Sequence, residues 1–408
     1  MKVVTRVKGL LAAAVAAAGL VAFAEPVVEI TKAWQANPGS GVVDFTYEVR
    51  GLDGASCDLV VRVEAKGCDK TYTFTNENVS AGLTTTNVDY KTKLGKVSPN
   101  VSIYATLVVG SSDSPTDATG TPVGILADVM VVDVTEPSAD TWPVKSYNNI
   151  DTGLFNCDVY KTSKIVLRKV SPGTYSAGYG ENGDNQLGAR TVEVTKTYYM
   201  ALFETTAAQY DRVMGVASPS SAMTPKNNIS WETIRGGCAA NVDITASSPA
   251  CFFQRLVQKT GIGGFDFPTE LQWEIAARAG STGQYGAFWS EEKASVAGDS
   301  SNAGQFAWYY SSSSSTVHPV GSLRPNLWGL YDTAGNVWES CRDNKKGSIP
   351  DGQKAEEYVY NSLNETYVAR RGGAYSSYLS QCDVSGRYGY YTSDVDDKDG
   401  FRVCCTRE

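Results

Sequence analysis

From Gly280 to the C-terminus the chain shows no sustained helical or strand period, yet it is dense in Tyr, Trp, Gly, Ser and Asn. Irregular stretches beyond about 12–15 residues are uncommon inside compact domains. A fold that carries this much irregular chain needs internal fastenings: metals, disulfides or buried aromatics. Ahead of it two stretches read as clear helices. TTAAQYDRVMG opens on Thr205 or Thr206 as a cap and closes at Gly215, and TELQWEIAARAG has Thr269 as cap, Arg278 late and Gly280 as stop. FFQRLVQKTG is a third candidate.

Residues 26 to 134 have a different texture. VVEITKAW, VVDFTYEV, CDLVVRVEA, TYTFT and VSIYATLVV are short runs rich in β-branched and aromatic residues, cut by Gly, Asn, Asp and Pro. Strands at that spacing predict a small sandwich of immunoglobulin-like type, with no acid pair, histidine or phosphate loop inside it. The stretch 135–163, with Pro137 and Pro143, reads as a linker. The expected organisation is therefore α+β: a leader over 1–24, a β-sandwich over 25–134, the linker, and a loop-rich domain over 164–408.

The leader is expected from Lys2, Arg6 and Lys8 ahead of the apolar run Leu10–Phe23, and from Ala22-Phe23-Ala24 as a cleavage site. That run is shorter than the roughly 20 residues a spanning helix needs, so the expected destination is export, to an extracellular, cell-surface or periplasmic location, with no membrane span in the mature chain. A formal net charge of -8 argues against nucleic acid as a partner. Export makes disulfides possible for the nine cysteines. An odd number leaves one unpaired. Cys57 with Cys68 suits a local hairpin bridge and Cys238 with Cys251 a loop staple, although sequence alone fixes neither pairing.

Five stretches of the second domain carry a family likeness: FETTAAQYDRVMG (203–215), NISWE (228–232), FPTELQWEIAARAG (267–280), NLWGLYDTAGNVWE (326–339), and RRGGAY with GFR (370–375, 400–402). In that order they resemble the formylglycine-generating enzyme, or sulfatase-modifying-factor, family, whose fold is an elaborated C-type-lectin-like domain. The resemblance implies a calcium site at Asp332, Gly335, Val337 and Glu339, two of them through backbone carbonyls. That suits a hard cation at a tight turn. Asn302 falls where a ligand of a second calcium site would lie.

Active members of the family oxidise a cysteine of an unfolded sulfatase segment to formylglycine, using oxygen and copper held by two cysteines. Counting from Gly372 in GGAYSSYLSQC, the first cysteine position is Ser377, the second is Cys382, and the family's helper serine is Ala374. A serine hydroxyl is hard and stays protonated near neutral pH, so it cannot complete a Cu(I) dithiolate. Copper is therefore not expected unless Cys404 or Cys405 joins Cys382. The lone histidine, His318, excludes a histidine-rich metal site and reads as a loop residue. Tyr375, Tyr378, Tyr388 and Tyr390, set among Ser, Asp and Gly, have the chemistry of adaptable recognition loops, and lectin-like domains of this family also occur as ligand-display proteins. The expected function is a noncatalytic binder of an unidentified peptide or glycan. The competing readings are a copper-dependent oxidase acting on a thiol, and a purely structural part of a surface array.

Overall fold

The computed structural model describes residues 27–34, 42–50, 57–65, 71–79, 82–89, 101–108, 128–147, 155–183, 185–285, 303–345, 348–359 and 366–407. The expected leader, Cys68 and Asn302 lie outside these residues. The chain divides into two compact units: Met1–Asp113 with Lys145–Val159, and Ser114–Val144 with Tyr160–Glu408.

In the first unit β1 (Val27–Trp34), β2 (Val42–Arg50) and β5 (Gly82–Asp89) form one antiparallel sheet in the order β1–β2–β5. A second sheet sets β3 (Cys57–Ala65) between β4 (Thr71–Val79) and β6 (Val101–Val108). Period-2 burial accounts for the first sheet: Phe45, Tyr47 and Val49 are buried while Thr46 and Glu48 between them are half-exposed. Threonine on the other face meets threonine, Thr46 Oγ1 lying 2.9 Å from Thr85 Oγ1. The threonine-rich β5 was not among the runs read as strands.

The second unit begins earlier than expected. β7 (Val129–Asp133), placed by its sequence in the N-terminal sandwich, pairs antiparallel with β8 (Lys164–Val170), so that Val129 lies opposite Arg168. The supposed linker also contributes Trp142, which is buried in the main core of this unit and donates its backbone N–H to Lys259 O at 2.7 Å. The correction has a simple cause. A strand's composition says that it is half-buried, not which distant strand it pairs with.

Five strands of the main sheet run β10 (Phe265–Asp266), β15 (Cys404–Thr406), β9 (Tyr198–Ala201), β8 and β7, all antiparallel. Every residue of β9 is buried, as expected of a central strand covered on both faces. Four helices accompany it: α1 (Ala207–Met214), α2 (Trp231–Arg235), α3 (Phe252–Thr260) and α4 (Glu270–Arg278). Thr206 and Thr269 each close a capping box, with Gln209 and Gln272 respectively, and Gly215 ends α1 in the left-handed conformation. Helix α4 ends one residue before the expected stop, with Ala279 at φ 50°. A second sheet follows, in the order β13 (Tyr388–Tyr391), β12 (Tyr367–Arg371), β11 (Trp338–Asn344) and β14 (Asp399–Gly400). β14 runs parallel to β11, and this sets Gly400 opposite Glu339.

No helix among the described residues is long and apolar enough to cross a membrane. The cysteines at 157, 238, 251, 341, 382, 404 and 405 are all free thiols, so the Cys238–Cys251 staple is not formed here.

Candidate functional site

The turn from Asn326 to Glu339 is fixed by its own side chains. Asn326 donates through Nδ2 to Ala276 O and Ala277 O at the end of α4, at 2.8 and 3.0 Å, while its Oδ1 accepts the N–H groups of Trp328 and Leu330. This one amide satisfies helix carbonyls that would otherwise be orphaned and shapes the loop beside them. Gly335, at φ 80°, lies so close to a neighbouring loop segment that a Cβ there would sit 2.0 Å from Trp308 O. Asp332 and Asn336 on either side also have positive φ, 57° and 63°.

Both acidic residues expected to hold calcium are buried in this turn. Asp332 is buried; its Oδ2 accepts the Gly321 N–H at 2.7 Å and its Oδ1 is a buried acceptor with no hydrogen-bond donor. Glu339 at the start of β11 is also buried. Arg402 grips it bidentately, Nε to Oε2 and Nη2 to Oε1, both at 2.6 Å, and the Trp273 indole donates to Oε2 at 2.7 Å. The structure adds a residue the sequence reading passed over. Glu204, fully buried just after β9, accepts the Val337 N–H on Oε1 at 3.1 Å and Asn336 Nδ2 on Oε2 at 2.6 Å.

Three buried carboxylates thus face one guanidinium. Burial first, with Asp332 and Glu339 adding repulsion, holds the Glu204 carboxyl well above the ordinary carboxylate range. Burial also pushes Asp332 up to about 6. Burial opposes the Arg402 charge, but Glu339 and the other acids more than offset it. An excess of acid over base, an orphaned carboxylate oxygen and a backbone bent by three left-handed residues fit a hard cation with oxygen ligands. No trio of His, Cys, Asp or Glu side chains among the described residues is disposed to hold an ion alone. A calcium ion here would therefore need backbone carbonyls, those of Gly335 and Val337, beside the Asp332 and Glu339 carboxylates.

The other candidate lies on the GGAYSSYLSQC turn. Gly373, at φ 80°, makes room for Cys382: a Cβ on it would be 2.6 Å from the Cys382 sulfur. Ser377 is buried, and its hydroxyl oxygen accepts the Ala374 N–H at 3.0 Å while its own N–H donates to Ala374 O at 2.9 Å. Cys382 is fully buried in an apolar cluster with Ala303, Ala307, Tyr309 and Ala334, and burial, with Asp383 adding to it, pushes its thiol up to about 12. Neither substitute partner is there. The Cys404 thiol lies 3.6 Å from Gln272 Oε1 and the Cys405 thiol 3.6 Å from Gly263 O, whereas Cys382 Sγ contacts Tyr378 O at 3.8 Å. Copper held by two thiolates does not fit these residues.

The four expected ligand-binding tyrosines divide. Tyr390 is a core residue, its hydroxyl 2.5 Å from Ser340 Oγ, and so is not available to a ligand. Tyr375 is buried with its hydroxyl donating to Asp397 Oδ2 at 2.9 Å, and half-buried Tyr388 packs on Trp338 at 4.8 Å. Only Tyr378 presents its ring, 66% exposed, and it meets Tyr310, 57% exposed, at 5.4 Å. The pair is anchored from below: Tyr310 N–H donates to Ser377 O at 2.9 Å, and Tyr378 N–H to Gln381 Oε1 at 3.0 Å. Tyr310 was not singled out from sequence, being one tyrosine beside a serine run. His318 is the loop residue it reads as. Its ring stacks on Trp308 at 3.7 Å and its Nε2–H donates to Ser313 O at 2.8 Å.

A loop-rich α+β domain with a fastened acidic turn and a double-glycine turn defines the class. Residues 160–407 match the Sulfatase-modifying factor enzyme 1-like domain, and the chain belongs to that family. A formylglycine-generating enzyme of Streptomyces coelicolor is 40% identical over 126 residues, 29% of this chain and 39% of that protein. One of Thermomonospora curvata is 30% identical over 127 residues, 29% of this chain and 41% of that protein. The matched chain thus spans about two fifths of the length of these relatives. Among solved structures, Treponema denticola variable protein 1 aligns with a TM-score of 0.46 at 22% identity, over 60% of this chain and 96% of its own. PvdO from Pseudomonas aeruginosa aligns with a TM-score of 0.47 at 18% identity, over 59% and 94%.

Proposed function

We propose that this chain is an exported, noncatalytic binding protein, in which an immunoglobulin-like N-terminal module carries a sulfatase-modifying-factor domain whose copper chemistry has been lost. One observation carries the reading: the Ser377 oxygen is committed to the Ala374 N–H, and Cys382 stands among apolar side chains without a second thiol. A protonated, buried thiol is an inert one. A calcium ion at Asp332, Gly335, Val337 and Glu339 has a structural part, bracing the turn that leads into β11. What remains open to a partner on this face is the Tyr310–Tyr378 pair, rigidly based and amphipathic. Two rings with free edges and hydroxyl tips suit a peptide or glycan ligand.

The test is direct. The full chain is titrated with Cu(I) under reducing conditions and then incubated in air with a cysteine peptide, with product masses followed for the aldehyde. The expected result is no stoichiometric copper binding and no aldehyde. Turnover that disappears in Cys382→Ala would replace this reading by the oxidase one. In a screen against peptide and glycan arrays, Tyr310→Ala with Tyr378→Ala is expected to abolish any specific signal. A signal that survives the double substitution would move the binding face elsewhere.

A further inference from the structure

We infer that Cys238 and Cys251 are a modification site: on oxidation they join in an intrachain disulfide that closes the loop between α2 and α3. Helix α2 ends at Gly236, φ 69°, and the chain folds back at once, with Cys238 N–H donating to Arg235 O at 3.3 Å. Gly236 lies directly on Cys251. A Cβ placed on that glycine would be 2.9 Å from Cys251 Cβ and 3.6 Å from its sulfur. The glycine thus brings the segment bearing Cys238 against the residue that starts α3.

Arg235 holds the arrangement. Its guanidinium grips Asp266 through Nε and Nη2 at 2.8 and 2.6 Å, and spends its remaining donors on the loop carbonyls of Cys238, Ala239 and Val242 at 2.9, 2.7 and 2.9 Å. A loop tied at three carbonyls to a buried ion pair is pre-organised, so a crosslink across it meets little opposing chain entropy. Both thiols also sit in the electrostatic environment of this same guanidinium, and Cys238 is among the groups that bear on Cys251.

The two cysteines differ in access as a disulfide-forming pair should. Cys238 is half-buried at the margin of the core, and Cys251 is fully buried, its sulfur accepting the Gln254 N–H at 3.4 Å as the cap of α3. A small-molecule disulfide such as oxidised glutathione is attacked by the Cys238 thiolate, which forms a mixed disulfide and releases one reduced thiol. Cys251, giving up its proton, then attacks the Cys238 sulfur and expels the second. Two protein thiols are oxidised and one external disulfide is reduced to two thiols. The bond reaches further than the loop: Arg342 on β11 holds Ala240 O and Asp243 Oδ1, both at 2.7 Å. The crosslinked loop is therefore buttressed by the strand that begins beside Glu339.

The experiment uses the full chain equilibrated with reduced or oxidised glutathione, then alkylated, mass-mapped without reduction, and melted. Oxidation is expected to yield a linked peptide pair containing Cys238 and Cys251 and to raise the melting temperature of this unit by about 6–12 °C, the scale for closing a loop of this length. Both effects are expected to vanish equally in Cys238→Ser and Cys251→Ser. Serine at 251 keeps an oxygen for the Gln254 N–H, so that variant still folds and matches the reduced parent. Full alkylation of Cys238 after oxidation, a stable glutathione adduct without the crosslink, or pairing of either residue with another cysteine would overturn the inference.

Discussion

Replacing Glu339 by Gln should destabilise the second unit far more than the loss of a hydrogen bond. The carboxylate is buried, and it balances Arg402 through two bonds of 2.6 Å while accepting the Trp273 indole. Removing one partner of a buried ion pair leaves the other charge uncompensated, at a cost of about 3–5 kcal/mol. For a unit of this size, with roughly 2–4 °C per kcal/mol, the drop in melting temperature should be about 6–20 °C. Arg402→Met removes the guanidinium instead, together with its donations to Ala201 O and Tyr331 O at 2.9 and 2.8 Å, and leaves three buried acids without their shared guanidinium. The double variant carries neither orphaned charge of the pair, so its loss should fall short of the sum by about 1–3 kcal/mol. Chemical denaturation of the four proteins at one calcium concentration closes the cycle. Losses additive within about 0.5 kcal/mol would refute the coupling, as would Glu339→Gln melting within a degree of the parent.

Chelation should lower the melting temperature, and added calcium should raise it with the logarithm of its concentration, because the proposed site exists only in the native turn. Asp332→Ala should remove that response, as read by scanning fluorimetry. Gly335→Ala should unfold the turn, since a methyl group would lie 2.0 Å from Trp308 O at a φ of 80°; circular dichroism and melting read it, and a stable variant would show that the loop repacks. Burial, with Glu270 adding to it, holds Asp343 up at about 7, although Val359 and Glu270 N–H groups donate to it. A carboxyl raised in the native state stabilises fully below its unfolded value of about 3.8 and loses that contribution as pH rises through about 7. Melting temperatures should therefore fall across this window by more in the parent than in Asp343→Asn, and equal slopes would count against the shift. Ser377→Cys with Ala374→Ser should raise copper affinity, because Cys382 is a free thiol and a cysteine at 377 supplies the second sulfur. Isothermal titration with Cu(I) reads the change, and an unchanged affinity would mean that the turn holds the two sulfurs apart.

Local chemistry was legible from the sequence wherever a residue acts within a few positions of itself. Thr206 and Thr269 cap because a hydroxyl reaches the N–H three residues on, and a threonine followed by a glutamine three positions later announces it. Cys251 caps α3 through sulfur, outside the usual set, which left that helix a weaker candidate. What the sequence could not display is partnership across distance. Glu204 looks like a stray acid beside an apolar strand until β9 is set against the turn that contains Asn336 and Val337, more than a hundred residues later. Tyr390 and Tyr378 have the same composition around them, yet one faces into a sheet and the other out of a short turn, and composition carries no face.

The question posed by the long irregular stretch, what fastens it, also has its answer in distance. Among the described residues it is fastened by buried charge and aromatic contact, and not by disulfides. Arg387 holds Glu270 at 2.6 and 2.8 Å, Arg371 and Arg278 share Glu274, and Arg402 holds Glu339. The Arg387 and Arg371 pairs tie the loop-rich C-terminal part to α4 and the Arg402 pair ties it to β11, while Arg278–Glu274 lies within α4; Trp273 on α4 touches both the Glu339 carboxylate and the Gly372 turn. Buried ion pairs add little net stability over apolar packing, but they are costly to break and tolerate few alternative partners. For a domain with so little regular structure that trade is a sensible one: a core of Leu and Val would accept many loop arrangements, whereas a guanidinium that must find two carboxylate oxygens and several carbonyls accepts one. The copper cysteines could change without touching these pairs, because Ser377 and Cys382 take no part in them. On the proposed function, a lost activity and an intact scaffold are independent outcomes of the same fold.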